Sequence, residues 1–172
     1  METEKKLSDY MGRTLLLTQL KFLKRDYELK CEEEIIASIN YPKWYGSDFE
    51  IAWGNKKWFV YRPSFWKNAI EIKEASKQLP FASYKKKGFK SGGIVSLPMG
   101  EELKIFFKFF KGSYGIQNSA EECLVLIKDK FSWNDRTEFY IQKRSELLDK
   151  YPWMILLAWY VSSQQRSGGA VT

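Results

Sequence analysis

Asp48, Glu71 and Lys73 are the residues whose types and spacing come closest to a catalytic arrangement. Two carboxylates can hold a Mg²⁺ ion through oxygen, and a neighbouring ammonium can orient or activate an attacking water. The triplet Glu32-Glu33-Glu34 can add a further ligand. The chain contains no histidine, which removes imidazole acid/base chemistry, histidine metal ligands and Ser-His-Asp triads. Its two cysteines, Cys31 and Cys123, match no metal-ligand spacing and are expected to be free thiols in a reducing compartment. No phosphate-cradling Gly-x-x-x-x-Gly-Lys, nucleophile elbow or dinucleotide fingerprint occurs. No metal, cofactor or catalytic residue is therefore favoured.

An acidic residue followed by Glu-x-Lys, here Asp48 and Glu71-Ile-Lys73, resembles the PD-(D/E)xK nuclease pattern over about 45 residues. The resemblance implies Mg²⁺-dependent cleavage of nucleic acid. Ser47 stands where the pattern has proline. The Glu-x-Lys also falls in a stretch whose apolar spacing favours a helix.

A second chemistry is phosphate recognition. The net charge is +7, and the whole excess lies between residues 41 and 111, with near-neutral flanks. That points to a polyanionic partner. The candidate nucleic-acid contacts are Lys56, Lys57 and Arg62, then Lys85, Lys86, Lys87 and Lys90, then Lys104, Lys108 and Lys111. Phe59 and Tyr61 supply rings able to stack on unpaired bases. Lysine outnumbers arginine, which favours reading of backbone and shape over base edges. RNA or single-stranded DNA is the expected ligand, bound without catalysis by an accessory protein or small subunit of a nucleoprotein complex. A Mg²⁺-dependent nuclease and a protein-interaction module, an adaptor or inhibitor of phage or defence type, are the alternatives. Exposed aromatic residues suit protein partners as well as bases.

The elements that must position these residues read as an α+β fold, predominantly helical. Asp48 to Arg62 alternates around Gly54-Asn55 as a β-hairpin, with Phe49, Ile51, Trp53, Trp58 and Val60 on the core face. A strand near 94–97 joins it. Helical spacing covers 4–27, 29–39, 65–79 and 101–111. Ser119-Ala-Glu-Glu122 and Asp135-Arg-Thr-Glu138 read as helix starts. Pro152 opens a last helix, Trp153 to about Gln165, apolar nearly all round and expected at the centre of the core. The sheet is thus expected between N- and C-terminal helices, in a single domain over 1–166 with a flexible tail at 167–172. The longest apolar run, Trp153 to Val161, is too short to cross a bilayer, and no signal peptide is visible. A cytoplasmic protein with no membrane partner is expected.

Overall fold

The computed structural model describes residues 4–43, 46–63, 69–88, 92–108, 111–130 and 136–169, with side chains described to Gln165. It corrects the helical reading. The chain forms a closed antiparallel barrel of twelve strands in meander order, closed by pairing of the last strand with the first. The strands are β1 (Thr14–Lys21), β2 (Lys24–Cys31), β3 (Glu34–Asn40), β4 (Phe49–Trp53), β5 (Lys56–Tyr61) and β6 (Ala69–Glu74). They continue as β7 (Ala82–Lys86), β8 (Gly93–Ser96), β9 (Glu102–Lys108), β10 (Ser113–Gln117), β11 (Cys123–Lys130) and β12 (Arg136–Ile141). Two helices follow, α1 (Glu146–Lys150) and α2 (Met154–Gly169). The protein is therefore neither predominantly helical nor built on a small sheet between helices.

Six helical expectations fall wholly or largely on strands, mainly for one physical reason. A spacing of four residues satisfies both a 3.6-residue and a 2-residue period, so Leu, Ile and Phe at such intervals fit either element. In β1, Leu15 and Leu17 are buried while Leu20 is half exposed, an alternation that only a strand produces. β9 takes the stretch over 101–111, with Leu103 and Ile105 inward and Lys104 and Lys108 outward. β6 takes the segment read as a helix over 65–79, whose residues 65–68 lie outside the described residues. The Ser119-Ala-Glu-Glu122 box is the β10–β11 turn, where Asn118 Oδ1 accepts the Ala120 and Glu122 N–H groups at 3.0 Å. The second expected start opens β12, and only Glu146–Lys150 of that segment is helical.

The Gly54-Asn55 turn does join β4 to β5, with Phe49, Ile51, Trp53, Trp58 and Val60 turned inward. The segment near 94–97 is β8, but it pairs with β7 and β9 instead of the hairpin.

The last helix explains the barrel. Twelve strands about 4.8 Å apart and tilted by about 40° enclose a cylinder roughly 24 Å across. Inward side chains alone cannot fill that width, whereas an α-helix 10–12 Å thick can. Every residue from Trp153 to Val161 is buried. Trp153 meets Phe81, Trp159 meets Tyr27, and Tyr160 packs on Phe49 at 4.7 Å. A helix apolar all round is what the lumen requires. Outside it, the short helical turn Leu7–Tyr10 is fixed to α1 by the Ser8 N–H and Oγ, each donating to Asp149 at 2.8 Å.

Candidate polyanion-binding end of the barrel

A meander places alternate turns at opposite ends. The β1–β2, β3–β4, β5–β6, β7–β8, β9–β10 and β11–β12 turns ring one end. The other end carries the remaining turns, the N-terminal segment and α1. Each end can be counted as its turns plus two strand residues on either side. Among the described residues the first end then holds twelve Lys/Arg and three Asp/Glu, and the second eleven and twelve. The first end is strongly basic. The second is balanced.

Pairing sharpens the contrast. At the balanced end Lys5 meets Glu34 at 2.9 Å, Arg13 meets Glu32 at 3.5 Å and Lys56 meets Glu4 at 3.6 Å. Lys77 meets Glu74 at 2.9 Å, and Lys143 meets Glu122. Glu34 is held below the usual carboxylate range, first by the hydrogen bond from Lys5. Burial, then the Glu34 charge, pushes Tyr10 up to about 12. Among the described residues no ion pair involves Lys21, Lys24, Lys43, Lys85, Lys104, Lys108 or Lys111.

The basic end extends down the outer wall. Lys85 pairs with Ile94 and Ile94 with Lys104, so the two lysines lie two strands apart, roughly 10 Å, on one surface. Lys108 pairs with Ser113, and Ser113 with Lys128. Lys108 Nζ stands 5.7 Å from the centre of the Phe106 ring, and Lys128 Nζ 5.8 Å from that of Tyr140. Phe106 points outward yet is only 8% exposed. Its ring lies over Gly115, where a Cβ would stand 2.0 Å from the Val125 carbonyl oxygen and 3.1 Å from that ring. Inside the basic mouth, the Asp129 carboxylate accepts Tyr114 Oη at 2.9 Å and Thr137 Oγ1 at 2.8 Å. Arg25 lies 3.8 Å from the centre of the Tyr41 ring and donates to the Gly46 carbonyl, which holds the β3–β4 turn.

The glycine-rich basic loop is the β7–β8 turn, closed by the Lys87 N–H donating to the Gly92 carbonyl at 2.9 Å. Gly93 lets it pack, because a Cβ there would stand 2.4 Å from the Lys85 carbonyl and 2.5 Å from the Tyr84 ring.

The candidate contacts divide between these surfaces. Lys85, Lys86, Lys87, Lys108, Lys111 and Arg62 belong to the basic end, and Lys104 to the wall below it. Lys90 lies outside the described residues. Lys56 and Lys57 stand at the β4–β5 turn at the balanced end, where Lys57 pairs with Glu50 at 3.7 Å. Phe59 and Tyr61 do face outward, but they stack on each other at 5.8 Å, and Lys73 Nζ lies 5.6 and 5.7 Å from their ring centres. Charge averaging along the chain missed Lys21, Lys24, Lys128, Lys130 and Arg136 at the basic end. Acidic residues near them in sequence, such as Glu32–Glu34 and Glu121-Glu122, fold to the opposite end. Sorting the turns alternately would have found them, once a meander was suspected.

Asp48, Glu71 and Lys73 also share the outer wall. Tyr61 stands between the two acids, with its hydroxyl donating to Glu71 at 3.0 Å, and Asp48 accepts the Arg62 N–H at 3.4 Å. Burial and that Glu71 bond raise the Tyr61 pKa. Lys73 is turned to the rings. Among the described residues no three Asp, Glu or Cys side chains gather as a metal site, and no helix is long and apolar enough to cross a membrane.

No protein-family model and no curated protein matches the chain. Among solved structures, it is similar to a protein from Arabidopsis thaliana determined by X-ray crystallography. The TM-score is 0.59 at 6% identity, over 90% of this chain and 93% of that one. At that identity the likeness establishes the barrel fold.

Proposed function

We propose that the protein binds nucleic acid without catalysis, through the basic end of the barrel and the adjoining wall of β7–β11. One observation carries this reading: among the described residues Lys21, Lys24, Lys43, Lys85, Lys104, Lys108 and Lys111 make no ion pair, whereas Lys5, Arg13, Lys56, Lys77 and Lys143 at the other end are each paired with a carboxylate. Lysines left unpaired at close spacing repel one another, and a polyanion relieves that repulsion while releasing its own counterions. The lysine-dominated surface favours contact with phosphates over base edges. The protein acts as an accessory or small subunit in the cytoplasm, with RNA or single-stranded DNA as ligand. Fluorescence anisotropy with labelled 20-nucleotide RNA, single-stranded DNA and duplex DNA, at 50 and 200 mM salt, tests the reading. Binding that weakens steeply with salt is expected. Absence of binding at 50 mM salt rejects it.

A further inference from the structure

Among the described residues, the most exposed aromatic or aliphatic pair at the basic end is one that composition alone does not single out. Phe22 and Leu23 form the β1–β2 turn and are 85% and 90% exposed. Lys21 and Lys24 flank them directly, and Leu20 beside them is 49% exposed. A two-residue turn has no structural need for apolar side chains, and Gly, Asn and Asp are its usual occupants. Holding a phenyl ring and an isobutyl group in water between two unpaired lysines works against solubility and against turn preference alike. Such a turn is accounted for by a ligand that offers an apolar face and negative charge together.

We propose that Phe22 stacks on an unpaired base and that the ligand is single-stranded nucleic acid; this rests on the nucleic-acid reading above. The residue is 85% exposed, and Lys21 and Lys24 beside it can meet the phosphates on either side of a stacked nucleotide. Phe59 and Tyr61 are less suited, because they already stack on each other beneath Lys73. Leu23 packs against the edge of the same base or its neighbour. A duplex offers no unpaired base to the tip, so single strands bind more tightly than duplexes of equal charge.

Three variants, Phe22→Ala, Phe22→Leu and Phe22→Trp, test the assignment by anisotropy with single-stranded oligonucleotides and by co-sedimentation with vesicles of phosphatidylcholine and phosphatidylserine. The turn is exposed, so far-UV circular dichroism should be unchanged in all three. Phe22→Ala and Phe22→Leu are expected to weaken single-strand binding by about 5- to 150-fold, with the same salt slope, while Phe22→Trp retains it. Equal single-strand affinity in wild type and Phe22→Leu overturns the stacking role while leaving the nucleic-acid reading intact. Salt-dependent binding that favours duplex overturns the ligand class. No oligonucleotide binding by the wild type overturns both readings. Vesicle binding that Phe22→Leu preserves and Phe22→Ala loses, without any effect on oligonucleotides, assigns the tip to an anionic lipid surface instead and rejects the proposal.

Discussion

Neutralising the outer lysine row should change how binding depends on salt, by an amount the geometry fixes. Lys104, Lys108 and Lys128 project from the outer faces of β9 and β11, and none has an ion-pair partner among the described residues. Each phosphate contact on a single strand contributes roughly 0.7 to the slope of log affinity against log salt. A triple Lys→Ala variant should therefore lose about 2 from that slope. Between 50 and 200 mM salt, the gap between wild type and variant should then narrow about 20-fold. The fold should bear the change. The losses amount to the cation–π contacts of Lys108 and Lys128, worth about 0.5–1 kcal/mol each. Melting should fall by no more than roughly 8 °C. The control removes Lys56, Lys77 and Lys143, which are ion-paired at the other end. It should leave the slope unchanged. Anisotropy titrations at four salt concentrations measure both. An unchanged slope in the first variant, or an equal fall in the control, refutes the assignment of the basic end.

Other consequences concern the barrel itself. Tyr84 Oη is buried with no hydrogen-bond partner among the described residues, so Tyr84→Phe should leave stability unchanged or raise it by up to about 1 kcal/mol in urea titration. A loss larger than that would mean the hydroxyl is satisfied. Burial raises Tyr84 from 10.0 to about 12, and Tyr10 is raised to a similar value. Above pH 10 the unfolded chain releases these protons while the folded one keeps them, so stability falls between pH 10 and about 12. At pH 11 the loss from Tyr84 is on the order of 1 kcal/mol. Tyr84→Phe should make the alkaline decline in the urea midpoint shallower, and an identical decline would remove Tyr84 from its cause. Gly93→Ala should cost about 2–3 kcal/mol, because the new methyl meets the Lys85 carbonyl and the Tyr84 ring. Trp153→Ala should cost about 3–5 kcal/mol, being fully buried where α2 enters the barrel.

What the sequence made legible follows from what each residue pattern can encode. The tight turn at Gly54-Asn55 has a local cause, a positive φ of 58° at Gly54, and it can be read without knowing the fold. The all-round apolar run after Pro152 is local as well: a helix with no polar face must be enclosed. Leu15 to Leu23 and Leu103 to Phe107 were ambiguous, because leucine and phenylalanine at spacings of three and four suit a helix until a neighbouring strand claims every second side chain. Strand identity is settled there by partners distant in sequence, as when β12 pairs with β1 and closes the sheet. The lysines of β9 kept their common surface despite the wrong element, since residues four apart share a face in both. Leu23 reads as part of a helical face because its spacing continues that of Leu16 and Leu20, and Phe22 beside it takes no role in that pattern. Only the turn placed them in water.

The most direct measurement is a map of backbone amide perturbations as a single-stranded 12-mer is added to isotopically labelled protein. Binding at the basic end predicts shifts that cluster at residues 20–25, 85–88, 108 and 111–113, and 130 and 136, with residues 32–34, 54–57, 98–102 and 118–122 unmoved. Perturbations concentrated in that second group, or spread evenly over both ends, would contradict it.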